Sequence, residues 1–197
     1  MWFPFHIGLV PVQVGCGARP LEVDAVRWTM AELEYDVSVV RGIAEASILL
    51  SLLFVATILA GVFVTQLLAL PPLFPPPWNS VGLVPAIGGG ASLVYCAAFL
   101  SRHGRGTPYP RLPPRRLVTT GPFARVRNPI ISSWGVMMIG LGVAMNWTGI
   151  FLLMVPGFIG IHAYIVYHEE PILERRFGAE YDEYRSRVPR WTPRLRS

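Results

Sequence analysis

Apolar positions along this chain fall into long uninterrupted runs, separated by short punctuated breaks. From Ile43 to Leu70 the single charge is Glu45, close to the beginning. A run of that length crosses a bilayer with some tilt. It ends at Pro71-Pro72-Leu73-Phe74-Pro75-Pro76-Pro77-Trp78. Proline lacks the backbone N–H and cannot continue a helix, and Trp78 suits the membrane–water interface. Val81 to Leu100 is the second run. Its Pro85 and Gly88-Gly89-Gly90 weaken an isolated helix but let a neighbouring helix approach closely. Ile130 to Met145 and Ile150 to Tyr167 are the third and fourth, joined by the tight uncharged break Asn146-Trp147-Thr148-Gly149. The third is short for a free-standing span and must lean on its neighbour. In the final stretch Leu173, Phe177, Tyr181, Tyr184 and Val188 recur at three and four residues, which predicts an amphipathic helix over about 169–188 lying against the membrane face. Pro189 ends it. The predicted fold is all-α, an integral membrane bundle of about four transmembrane helices with a C-terminal amphipathic cytoplasmic helix.

The first 36 residues stand outside that pattern. Met1 to Pro11 carries no basic residues before its apolar stretch, is broken by Pro4 and Pro11, and is too short to span. Arg19 to Asp36 is polar and mildly acidic. Residues 1–36 are expected to form a tail or a surface-lying segment, with Met30 a candidate internal start, and residues 37–197 the membrane domain.

Composition agrees with the pattern. Hydrophobic residues make up 52% of the chain and charged ones 15%, against about 25% charged in ordinary soluble domains. The net charge of +5 could point to nucleic acid, but the basic residues cluster at the ends of the apolar runs, as in membrane proteins, so no nucleic-acid partner is expected. Every basic residue is arginine. The loop Ser101 to Pro129 and the tail after the fourth run are arginine-rich, while the other two connections are uncharged. Four spans with both termini cytoplasmic satisfy that asymmetry. Cys16 and Cys96 are far apart, no metal-ligand spacing exists, and no disulfide framework follows.

The chemistry gathers at the two feet of the last apolar hairpin. One foot is Gly121-Pro122-Phe123-Ala124-Arg125-Val126-Arg127-Asn128-Pro129; the other is His168-Glu169-Glu170-Pro171, followed by Arg175-Arg176 and by Tyr181 and Tyr184. Charge at such a place is costly unless it faces water or a ligand. Counted back from the turn near Asn146–Gly149, Asn128 and Glu169 reach nearly the same depth, so Arg127 and one glutamate can face each other across neighbouring helices. Adjacent residues on a helix diverge, so one of Glu169 and Glu170 is expected to enter the site. Arginine for a carboxylate and glutamate for a cation would suit a zwitterionic ligand. Asn128 is a reasonable N-cap for the helix that Pro129 opens. Each residue also has a plainer reading: the arginines as topology anchors, the glutamates as a surface ion-pair helix, the tyrosines as interface aromatics, and His162 as a hydrogen-bonded packing residue.

Taken jointly, Gly121-Pro122-Phe123, Arg127-Asn128-Pro129, the apolar hairpin, Glu169-Glu170, Phe177-Gly178, Tyr181 and Tyr184 resemble the isoprenylcysteine carboxyl methyltransferase and phospholipid methyltransferase superfamily. The resemblance covers roughly Arg102 to Pro193. It implies an S-adenosylmethionine-dependent methyltransferase of the bacterial inner membrane, its active site facing the cytoplasm. The acceptor would be a lipid or other apolar small molecule presenting a carboxylate, amine or thiol. Glu169, Glu170 and Arg127 are the implied catalytic residues. Gly121, Pro122, Phe123, Arg127, Asn128, Pro129, His162, Glu169, Glu170 and Tyr181 are the implied cofactor-binding set. One departure stands out: the family's Arg-His/Asn-Pro-x-Tyr signature, opened here by Arg127-Asn128-Pro129, has Ile131 in the place of its tyrosine. Two other readings stay open: a sterol-reductase-like protein using a nicotinamide dinucleotide, and a non-enzymatic membrane accessory protein that keeps the fold. Neither the acceptor nor an oligomeric state follows from the sequence.

Overall fold

A computed structural model describes residues 41, 44, 45, 47–49, 51–104 and 114–193. The expected tail, residues 1–36, and most of the proline-rich part of the arginine loop, residues 105–113, lie outside the described residues. Among the described residues all regular structure is helical. Three helices are long and apolar enough to cross a membrane: α1 (Ser47–Leu67), a helix over Trp78–Gly104, and one over Gly149–Phe177. The second opens with a 3₁₀ turn, Trp78–Gly82, and continues as α2 (Leu83–Gly104). The shorter apolar helix is α3 (Pro129–Ala144). The last long helix comprises α4 (Gly149–Tyr164), a π-helical turn Ile165–Glu169, and α5 (Glu170–Phe177). α6 (Ala179–Arg187) follows.

The short third helix leans on α2 along a seam of small residues. A Cβ added at Gly82 or Gly89 would strike the backbone of α3, and one added at Gly140 the backbone at Ala86. Close backbone approach of this kind is how helices associate in lipid, where burying apolar side chains yields little. Ser92 and Ser133 add a hydroxyl–hydroxyl bond of 2.8 Å across the seam. α1 meets the start of α4 through Gly61 and Thr65, whose Oγ1 accepts the Gly149 N–H at 2.8 Å.

Asn146 closes the uncharged end. Its positive φ of 54° ends α3, and the bonds Asn146 N–H to Val143 O (3.2 Å) and Trp147 N–H to Gly142 O (2.9 Å) satisfy the last carbonyls. Its side chain accepts from Leu73 N–H at 3.1 Å and donates to Phe74 O at 3.1 Å, fastening the proline-rich connection. Thr148 Oγ1 donates to Pro71 O at 2.8 Å.

Two boundaries differ from the sequence reading. The fourth span does not stop at Tyr167: helix runs on through Glu169-Glu170-Pro171 to Phe177. Proline's ring normally clashes with the carbonyl four residues back. The wide π turn immediately before Pro171 makes that passage possible, with the Glu170 N–H bonded to Ile165 O. The amphipathic helix expected over about 169–188 is instead two helices broken at Gly178, which has φ +53° and ψ −129°. That conformation is essentially reserved for glycine.

Candidate active site

The two feet of the hairpin meet. Arg127 stands two residues before α3, where Pro129 occupies the first helical turn. Asn128 takes the N-cap position and its carbonyl accepts the Ser132 N–H at 3.0 Å, but its side chain makes no capping bond. Arg127 Nη1 donates to Glu170 Oε1 at 2.8 Å and to Tyr181 Oη at 3.3 Å. Both ends of the ion pair are nearly enclosed, with side-chain exposures of 9% and 8%. A pair so enclosed strongly penalises loss of either partner.

Glu170 has a second cation. Arg190 Nε donates to Oε1 at 2.8 Å and Nη2 to Oε2 at 2.9 Å. This fork-on-carboxylate arrangement is both directional and strong. The bond to Glu170 holds the Arg190 guanidinium above its ordinary range. Burial pushes the Tyr181 and Tyr184 phenols up as well, so both remain protonated hydrogen-bond donors at neutral pH. Glu169, one residue before and on the π turn, is half-buried. Among the described residues it pairs with no cation.

The chain after α6 binds this cluster. Tyr181, Tyr184 and Val188 form a buried group with Leu117, Leu173 and Phe177 packed on it. The Tyr184 hydroxyl donates to Phe123 O at 2.8 Å, and the Arg127 N–H donates to Pro189 O at 2.9 Å. The Trp191 indole N–H donates to His162 Nδ1 at 3.1 Å, and its ring lies 4.9 Å from that of Phe158. Gly121, with φ +60°, lets Pro122 and Phe123 turn beneath Phe99, whose ring a Cβ at Gly121 would strike.

Of the residues singled out from the sequence, Arg127, Glu170 and Tyr181 are thus in direct contact. Phe123 and Pro129 are buried supports for them. Gly121 and Pro122 shape the turn, and Glu169 adjoins. His162 is drawn in only through Trp191. Arg125, Arg175 and Arg176 stand exposed. Arg190 and Trp191 are not among the residues the sequence singles out, because they follow Pro189, which ends the helical spacing. The signal was present: an arginine and a tryptophan directly after an amphipathic helix have little reason to be adjacent on a bare tail.

One buried polar atom has no partner among the described residues: Arg127 Nε. A buried donor left unmade is costly. Glu169 next to Glu170 and the unpaired Arg127 N–H give the cluster one carboxylate that could meet a cation and one donor that could meet an anion. That donor set fits an amino-acid-like zwitterion carrying an additional positive centre.

Residues 84–180 match the family model described as phospholipid methyltransferase. The nickel-cobalt-cadmium resistance protein NccN of Alcaligenes xylosoxydans xylosoxydans is 28% identical over 116 residues, which are 59% of this chain and 50% of the relative. The chain therefore spans about half the length of the curated relative it matches. No solved structure matches it.

Proposed function

Over residues 84–180 the chain belongs to the phospholipid methyltransferase family, and from that premise we propose that it transfers a methyl group from S-adenosylmethionine to a lipid or apolar small-molecule acceptor. The supporting observation is the enclosed Arg127, held by Glu170 while its Nε–H lacks an acceptor among the described residues. A cofactor carboxylate would supply that acceptor. Glu169, unlike Glu170, meets no arginine among the described residues and is the carboxylate left for the ammonium or sulfonium. Tyr181 holds Arg127 in place through its hydroxyl. When bound, the cofactor supplies a methyl already activated by the sulfonium, so the chain needs no covalent nucleophile. Its residues bind, orient and exclude water. The arginine-rich loop and tail support a cytoplasmic site, with the bacterial inner membrane as its place.

The acceptor carries a carboxylate, amine or thiol and reaches the cluster from the bilayer. The test uses the purified full chain in detergent or nanodiscs. Calorimetry is expected to show binding of S-adenosylmethionine and none of nicotinamide dinucleotides. Labelled methyl donor is then expected to mark one class in a panel of fatty acids, isoprenoid thiols and phosphatidylethanolamine. Binding of a nicotinamide dinucleotide in place of S-adenosylmethionine would overturn the reading.

A further inference from the structure

Within the segment Val188–Pro193, the four residues Val188 to Trp191 each contact a different part of the cluster. Pro189 O receives the Arg127 backbone N–H at 2.9 Å. Arg190 engages both oxygens of Glu170. Trp191 donates to His162 on α4. Val188 is buried with the two tyrosines of α6. Each contact is with a different element, and together they cross from the foot of α3 to α4 and α5.

A single carboxylate between two guanidiniums has a consequence. Arg127 can reach Glu170 only where Glu170 is held, and Arg190 takes both of its oxygens in a fork that sets the plane of the carboxylate. With that plane set, Oε1 is presented to Arg127, whose buried Nε–H is left without an acceptor among the described residues. We propose that Arg190 is a positioning residue: acting through Glu170, it fixes the Arg127 guanidinium so that its unpartnered N–H is aimed at the ligand. The segment Val188–Pro193 is the strap that delivers Arg190 to that place. Glu170 is then the hub of the cluster and not its ligand-facing carboxylate. The inference rests on the proposed S-adenosylmethionine reading for its ligand, but not for the coupling it claims.

Two measurements on the full chain test it. The first needs no cofactor: thermal unfolding of R127Q, R190Q and the double variant. If Arg190 fixes Arg127 through Glu170, the double variant's fall in Tm is clearly smaller than the sum of the single falls. Additive falls overturn the proposal, whatever the protein binds. The second is calorimetry with S-adenosylmethionine, below the melting temperature of each variant. Arg190→Gln is expected to raise Kd at least tenfold. Arg190→Lys, which keeps the charge and loses the fork, is expected to recover most of the Tm but only part of the affinity. R190K and R190Q binding like the parent would make Arg190 a purely structural residue and sink the proposal. A parent chain that binds no S-adenosylmethionine refutes the proposed function, and the unfolding cycle then decides the coupling by itself.

Discussion

At the scale of single residues, the site turns on the difference between two neighbouring glutamates. Glu170 sits between Arg127 and Arg190, whereas Glu169 meets no cation among the described residues. Successive helical residues point about 100° apart at 3.6 residues per turn, so the two cannot share a role. Removing one partner of an enclosed ion pair costs about 3–5 kcal/mol. Glu170→Gln is therefore expected to lower the melting temperature sharply. Glu169→Gln is expected to leave Tm nearly unchanged and to weaken S-adenosylmethionine binding by a decade or more. Thermal unfolding and calorimetry on the two variants check this, and the reverse assignment of effects would show the roles exchanged. Arg127, Glu169 and Glu170 were legible in the sequence because charge at the foot of an apolar hairpin has to be compensated. The choice between the glutamates was not legible. It depends on Arg190, which lies beyond a proline and in no periodic pattern.

At the scale of elements, the turns decide how the helices present these residues. A π turn at Ile165–Glu169 lets the last long helix pass Pro171 and carry Glu170 beneath Arg127. Hydrophobic spacing carries no sign of such a turn, so the sequence reading stopped the span at Tyr167. The break at Gly178 was likewise hidden, since Leu173, Phe177, Tyr181 and Tyr184 keep helical spacing across it. Its φ of +53° and ψ of −129° leave no room for an L side chain's preferences, although no atom lies near its absent Cβ. Gly178→Ala is expected to cost about 1–3 kcal/mol through the backbone alone. It should also loosen Tyr181 and Tyr184, which hydrogen exchange of α6 would register. Exchange in α6 unchanged from the parent would show that the kink is not what seats the tyrosines. Residue spacing did reveal the short α3 and its dependence on a neighbour. Of the glycine run in α2, Gly89 is the close-approach position and Gly88 faces nothing within 4 Å, while the partner glycine on α3, Gly140, emerged only from the packing.

At the scale of the whole molecule, the arrangement is a set of apolar helices whose two ends differ in kind. The end near Asn146 is closed by neutral side-chain bonds to the proline-rich connection. The other end holds the charged cluster. From the arginine asymmetry we propose that the charged end is the cytoplasmic one. A single cysteine placed at the exposed Arg125 position, in a chain with Cys16 replaced and Cys96 buried, is expected to react with a membrane-impermeant maleimide only after the membrane is opened. Reaction in intact cells would invert the topology. Fold class could be taken from run length and composition, because a bilayer leaves few choices to a chain this apolar. The way the C-terminal segment ties α3, α4 and α5 together could not, since it is made of contacts between residues distant in sequence.

Those distances also set an order in time. Arg127 precedes Glu170 by 43 residues, so at about 5–20 residues per second it waits roughly 2–9 seconds for its counter-ion, and longer for Arg190. Through that interval the foot of α3 carries an uncompensated charge and has to remain in water. The shortest apolar helix of the bundle is thus tethered at the surface while α4 is being made, and it is drawn into place only from behind. A chain truncated at Glu169 is expected to leave a cysteine at position 128 open to a water-soluble maleimide, whereas the full chain protects it. Equal reactivity in both would mean that α3 settles without its counter-ion.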